Sequence, residues 1–324
     1  MARVARIEEH GGPEVIQWAD VNLPDPGPGE VRIRTTAVGL NFIEVYQRTG
    51  LYPLKLPSGL GTESVGVIEA IGPDVEGFAE GDRVGTFGPA IGSYATHRNL
   101  PANSLFKLPD DVDDKTAAAI LLKGATTEFL IERCAKVQPG WTVLVHAAAG
   151  GVGQLAVGWL KAIGATVIGT VGSSDKADHA KTAGVDHVVQ YKERDIAEAV
   201  REITGGKGVP VVLDGVGKTT WEASLKSTAR RGLIVSYGNA SGPVTGVALG
   251  QLNQNGSLFV TRPTLFHYYV EPDERQAGMK RVFEMLEKGA IRPEIGQTFA
   301  LEDTAEAHRQ LEAGKTRGAS VLLP

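Results

Sequence analysis

The chain has 324 residues, a formal net charge of −5, 42% hydrophobic and 22% charged residues. That composition describes a globular protein with room for two domains, and the lack of a basic surplus argues against nucleic acid as a partner. A single cysteine, Cys134, excludes an internal disulfide and a zinc site of four thiolates, and reads as a small core residue.

No run of about 18 apolar residues suggests a membrane span. The opening segment MARVARIEEHGGPE has no apolar stretch of the signal-peptide kind, so the expected compartment is the cytoplasm.

Residues 1 to about 120 carry short strand-like runs at 31–38, 64–71 and 83–87, divided by Gly and Pro clusters. Short strands with frequent turn signals predict a compact, mainly antiparallel β domain. Helical patterns follow at 116–122 and 126–134. Strands then alternate with helices: strands at 142–146, 166–171, 186–190, 209–213, 232–237 and 257–261, with helices at 195–203 and 219–227 among the connections. Such alternation predicts an α/β fold with a doubly wound parallel sheet and right-handed crossovers. After Pro263 come a helix at 274–288, a strand at 296–300, a helix near 304–312 and a last strand at 319–322. These pieces are expected to return to the first domain, which sets the domains at 1–122 completed by about 265–324, and 123–264.

The richest segment is 143–176, VLVHAAAGGVGQLAVGWLKAIGATVIGTVGSSDK. An apolar strand runs into Gly150, Gly151 and Gly153, then into a helical pattern with Val152, Leu155, Ala156, Trp159, Leu160 and Ile163, then into a second apolar strand. Strand, glycine turn, helix and strand together point to dinucleotide binding. Glycine lets the backbone approach a pyrophosphate, and the new helix offers free N–H groups and a positive dipole end. Ala148 replaces the first glycine of the G-x-G-x-x-G pattern. The competing reading is a tight turn with no ligand.

The second strand ends in Gly172, Ser173, Ser174, Asp175 and Lys176. A site for unphosphorylated ribose wants an acid there. Small hydroxyls and a lysine suit a 2′-phosphate, so the expected cofactor is NADPH. Asp175 reads as the cap or first-turn residue of the next helix.

The segments GLNFIEVYQRTGLYP (39–53), LPSGLGTESVGVIEAIG (56–72), HAAAGGVGQLA (146–156), GGKGVPVVLDGVG (205–217) and RRGLIVSYGNASGPVTG (230–246) carry a resemblance that runs nearly end to end. The chain resembles the medium-chain dehydrogenase/reductase superfamily, and within it the zinc-free NADPH:quinone oxidoreductase branch that includes zeta-crystallin. The resemblance implies a Rossmann domain beside a GroES-like, mainly β catalytic domain, with the active cleft between them. Zinc-dependent relatives place a Cys ligand where Asn41 stands and a His where Thr62 stands. Neither amide nor threonine is an ordinary zinc ligand, so no metal is expected. The seven histidines show no ligand spacing and read as structural or exposed.

Without a metal, the expected acceptor is one that needs little activation, such as a quinone or a polarised enone, and the protein supplies orientation and hydrogen bonds. By resemblance the catalytic group is Asn41, Tyr46 and Tyr52, with Asn41 and Tyr46 also facing the nicotinamide end; the two tyrosines could equally pack their loop. The same resemblance assigns cofactor contacts to Thr126, Ala148, Gly150, Gly151, Val152, Gly153, Gly172, Ser173, Ser174, Lys176, Tyr191, Tyr237, Asn239 and Arg317. Glu63 reads as a hydrogen-bonded anchor of the β domain rather than a general base.

The leading expectation is NADPH-dependent quinone reduction. Two alternatives stand beside it: reduction of an activated C=C bond in an enal, enone or enoyl thioester, and a zeta-crystallin-like structural or RNA-binding role with NADPH as ligand. The acidic balance weighs against RNA. A homodimer is expected from family habit, with the strand at 257–261 able to pair across a two-fold axis.

Overall fold

Six apolar segments of the middle of the chain lie side by side in one parallel sheet. Their spatial order is His187–Gln190, Thr166–Val171, Thr142–Val145, Val209–Asp214, Thr228–Ser236 and Phe259–Thr261. This is a computed structural model that describes residues 1–88 and 90–324. The chain divides into two units, Met1–Lys123 with Pro293–Pro324, and Gly124–Arg292.

The central strands Thr142–Val145, Thr166–Val171 and Val209–Asp214 are buried on both faces, which is why they read as unbroken apolar runs. Leu144, Ile168, Val212 and Ile234 pack with Trp221 and Leu225 from the helix Trp221–Ser227. The order reverses between Thr142–Val145 and Val209–Asp214. Crevices at the carboxyl ends of strands form at such a switch point.

The first unit is built around the long strand Glu30–Leu40, which pairs antiparallel with Glu63–Ile71, His97–Pro101 and Ala319–Leu323. One parallel pair, Ile295–Ala300 with Ala319–Leu323, closes the edge. A smaller sheet joins Ala2–Ile7 to Gln17–Val21 and Ser58–Gly59. Val31, Ile33, Ile68, Val84 and Leu100 form one apolar cluster; Ile7, Val38, Leu40, Leu60 and Leu322 form another. Among the described residues no helix is long and apolar enough to cross a membrane.

Several boundaries differ from the sequence expectation, including the strand expected at 232–237, which runs over Thr228–Ser236, and three of the differences have a physical cause in the packing or the backbone. The patterns at 116–122 and 126–134 are one helix, Asp114–Glu128, which continues as a π-helical turn over Phe129–Cys134. Gly124 does not break it: a Cβ there would meet Val282 Cγ1 at 2.7 Å, so the glycine admits a neighbouring helix. The return to the first unit begins at Pro293 rather than near residue 265. The intervening helix Pro272–Glu287 stays with the second unit because Arg281 bonds Glu132 at 2.9 Å and Val282 packs on Gly124. The last parallel strand starts at Phe259, since Gly256 and Ser257 turn through positive φ of 109° and 57°.

Candidate active site

The glycine turn links the strand Thr142–Val145 to the helix Gly151–Ala162, with Gly150 as N-cap in extended backbone. Among the described residues no side chain caps this end. The first helical N–H groups, on Gly151, Val152 and Gly153, lack partners inside the helix, the arrangement by which a helix start can take an anion. Gly153 has to be glycine for packing: a Cβ would lie 2.3 Å from the Ala147 carbonyl oxygen. Ala148 is fully buried, and its N–H donates to the Thr170 carbonyl at 3.1 Å.

At the end of the strand Thr166–Val171 the expected cofactor residues gather. Ser173 N-caps the helix Ser174–Thr182, its hydroxyl accepting from the Lys176 N–H at 3.4 Å. Asp175 is a first-turn residue of that helix rather than its cap. Ser174 Oγ donates to Gln190 Oε1 at 3.3 Å. Gly172 makes room for Tyr191, whose hydroxyl would be 2.4 Å from a Cβ at that position. Burial, and then repulsion from Lys192, push the Lys176 amine below its ordinary range. Lys192 is a cation of this cluster that the sequence reading passed over. Its signal was its place directly after Tyr191, past the end of the strand His187–Gln190.

Across the switch point, the Tyr237 N–H donates to the Asp214 carbonyl at 2.8 Å and the Tyr237 ring covers Gly215. Arg262, also missed, donates to the Ser236 carbonyl at 2.7 Å. With its amide turned to satisfy both ends, Asn239 accepts from Arg262 at 2.9 Å. Thr126 is half-buried on the helix Asp114–Glu128.

In the first unit, Asn41 caps the helix Phe42–Arg48. Its N–H donates to Glu44 Oε2 at 2.7 Å, and its amide Nδ2 donates to Glu63 Oε1 at 2.9 Å. Glu63 is fully buried and also accepts from Lys123 Nζ at 3.2 Å and from the Leu122 N–H at 2.7 Å. Glu44 accepts from both the N–H and the hydroxyl of Thr62. Burial raises the Glu44 carboxyl to about 7, Glu63 pushes the same way, and the Thr62 and Asn41 bonds and Lys123 oppose the rise. Tyr46 and Tyr52 stand with ring centroids 5.1 Å apart, and the Tyr52 N–H donates to the Tyr46 carbonyl at 3.0 Å. Arg317 pairs with Glu294 at 3.3 Å. Asn41, Tyr46, Tyr52 and Arg317 thus belong to the first unit, and the remaining expected cofactor residues to the second.

Two family models match: the alcohol dehydrogenase GroES-like domain over residues 27–110 and the zinc-binding dehydrogenase over residues 151–285. A quinone oxidoreductase of Pseudomonas aeruginosa is 49% identical over 325 aligned residues, covering 100% of both chains. The crystal structure of Escherichia coli quinone oxidoreductase complexed with NADPH superposes with a TM-score of 0.97 at 44% identity, covering 99% of this chain and 100% of that one. The chain belongs to the quinone oxidoreductase branch of the medium-chain dehydrogenase/reductase superfamily. It is an oxidoreductase. A 2-haloacrylate reductase of a Burkholderia species is 43% identical over 100% of this chain and 99% of its own length.

One matched family model carries zinc in its description. The side chains around Asn41 do not fit that ion. An amide and a hydroxyl stand at the two positions in question, and both are engaged, Asn41 with Glu63 and Thr62 with Glu44. Glu63 is held in turn by Lys123, whose ammonium occupies the place of a counter-charge.

Proposed function

We propose that the chain reduces quinones with NADPH by hydride transfer and without a metal ion. The observation that carries the cofactor choice is Lys176 beside Lys192, next to Ser173, with the one nearby acid, Asp175, taken up in the first turn of the following helix. Two cations favour a 2′-phosphate, and an acid would repel it. When bound, NADPH supplies the hydride.

The N–H groups of Gly151, Val152 and Gly153 hold the pyrophosphate, with Ala148 and Gly150 shaping the turn. Gly172, Ser173, Ser174, Lys176 and Tyr191 surround the 2′-phosphate and adenosine, and the family resemblance adds Arg317 of the first unit as a candidate for the same phosphate. Thr126, Tyr237 and Asn239 are the second unit's candidates for contact with the nicotinamide end, and Asn41 and Tyr46 are the first unit's. The paired rings of Tyr46 and Tyr52 offer a stacking surface to a flat acceptor, and their hydroxyls can protonate its oxygen. The quinone takes up a hydride and a proton and leaves as hydroquinone.

A second reading, reduction of an activated C=C bond, is supported by the likeness to the 2-haloacrylate reductase. Initial rates with NADPH against 1,4-benzoquinone, 2-chloroacrylate and an enone separate the two. The leading reading expects the highest kcat/KM with the quinone; a higher value with 2-chloroacrylate or the enone would transfer the assignment to C=C reduction.

A homodimer belongs to the same proposal. The strand Phe259–Thr261 is one of the two edge strands of the parallel sheet, with Phe259 60% and Val260 38% exposed. A second copy pairing there across a two-fold axis would continue the sheet and satisfy the open backbone edge.

A further inference from the structure

Behind the glycine turn lies a fully buried polar chain that no part of the proposed reaction uses. It joins four elements. His146 follows the strand Thr142–Val145, Thr170 lies in Thr166–Val171, Asp214 ends Val209–Asp214, and Ser224 belongs to the helix Trp221–Ser227. His146 Nδ1 is 3.1 Å from the Thr170 hydroxyl, and His146 Nε2 is 3.0 Å from the Ser224 hydroxyl. The Ser224 hydroxyl donates to Asp214 Oδ2 at 2.8 Å.

We propose that His146 and Thr170 are positioning residues that set the shape of the phosphate-binding turn through a hydrogen-bond chain of fixed proton direction ending on Asp214. This rests on the NADPH reading above.

The direction follows from counting protons. A carboxylate only accepts, so Ser224 spends its one hydroxyl proton on Asp214. His146 must then donate from Nε2 to Ser224. A neutral imidazole has one N–H, so Nδ1 accepts, and the Thr170 hydroxyl donates to it. The Thr170 oxygen is left with a lone pair for the Ala147 N–H, 3.4 Å away. Burial pushes His146 below its ordinary range, against a smaller opposite pull from Asp214, which keeps the ring neutral as the chain requires. Asp214 is anchored independently: Oδ1 accepts from the N–H groups of Val216 and Gly217 at 2.9 and 3.0 Å, and from the Thr220 hydroxyl at 2.8 Å.

The end of the chain is what matters for the ligand. Ala147 is held at φ +53°, a region that a side chain rarely occupies. Its carbonyl accepts from the Gly150 N–H at 2.9 Å and faces Gly153 at the closest approach of the turn. Thr170 holds two successive N–H groups, Ala147 on its hydroxyl and Ala148 on its carbonyl at 3.1 Å. The aim of the three helix-start N–H groups therefore depends on Thr170, and the orientation of the Thr170 hydroxyl depends on His146.

The test compares NADPH with 2′-AMP, which carries the 2′-phosphate but no pyrophosphate, by calorimetric titration. Thr170→Val removes the hydroxyl at constant shape. It is expected to weaken NADPH binding about tenfold and to leave 2′-AMP binding unchanged, while Thr170→Ser restores NADPH affinity. Unchanged NADPH affinity in Thr170→Val, equal losses for both ligands, or no rescue by Ser would overturn the inference. Histidine-labelled NMR on the unmodified protein supplies a readout that needs no variant. The His146 ring is expected as the Nε2–H tautomer, and an Nδ1–H or doubly protonated ring at neutral pH overturns the chain. Failure of the unmodified protein to bind NADPH would count against the cofactor reading instead, and the tautomer would still decide the direction of the chain.

Discussion

The methyl group of Ala148 sits in the space left by the missing side chain of Gly169. A Cβ on Gly169 would lie 2.8 Å from the Ala148 Cβ. The alanine in the turn and the glycine in the neighbouring strand are therefore one packing decision spread over two elements. Gly169→Ala is expected to cost roughly 1–3 kcal/mol, since the fully packed site cannot yield without moving backbone. Ala148→Gly added to it should recover part of the loss; Val185, whose methyls would lie 2.9 and 3.0 Å from the new Cβ, keeps the recovery incomplete. Urea denaturation of the four proteins of the cycle measures the coupling, and strict additivity would contradict the pairing.

The raised Glu44 carboxyl makes a pH prediction with a definite sign. Folded Glu44 titrates near 7 against an ordinary 4.5, so between those values the folded state holds more protons than the unfolded state. Stability from this group is present below pH 4.5 and declines as pH rises to about 7, by on the order of 3 kcal/mol in total. His308 works the other way: burial, then Arg48, lowers it to about 3, so its contribution is lost as pH falls below the usual histidine range. The Glu44 effect is therefore read as a difference between proteins. Glu44→Gln should remove the downward slope with rising pH in denaturation curves at several pH values. An identical slope in both proteins would contradict the assignment.

Lys123 and Glu63 are 7% and 0% exposed at their side chains and 3.2 Å apart. Removing Lys123 leaves the buried Glu63 charge without a counter-charge, though still bonded by Asn41 and Leu122, and losing a buried partner costs about 3–5 kcal/mol. Lys123→Met is expected to destabilise by that order in chemical denaturation, and Glu63→Gln added to Lys123→Met should return part of it. A loss below about 1 kcal/mol for Lys123→Met would mean that the pair is open to water.

Much of this architecture could be read from the chain before any coordinates. The βαβ unit was legible because its strands are buried on both faces and its helix repeats apolar residues at the helical period. The tie between Ala148 and Gly169 was not, since it runs from the turn to the neighbouring strand rather than along the helical or strand period. Gly124 looks like a break in a helix until Val282, far along the sequence, is placed against it. The same long-range packing explains why the helix Pro272–Glu287 stays with the second unit. Asn41 was singled out by resemblance, but its bond to Glu63, and Lys123 behind that, depend on three segments meeting. Lys192 carried no motif, and only its closeness to Lys176 gives it meaning.

Cofactor preference should follow the lysine cluster. Lys176→Glu is expected to weaken NADPH binding by about tenfold or more, through charge reversal at a half-buried position, and to leave NADH binding little changed or improved. Fluorescence titration with both cofactors reads the ratio. An unchanged NADPH-to-NADH ratio would remove Lys176 from the 2′-phosphate site.

The most direct test of the proposed function is quinone-dependent oxidation of NADPH by protein stripped with a strong chelator and checked for residual metal by elemental analysis. Undiminished turnover in the stripped protein, with no gain on adding zinc, is the expected result. Loss of turnover on stripping with recovery on zinc, or a failure to oxidise NADPH at all, would contradict it.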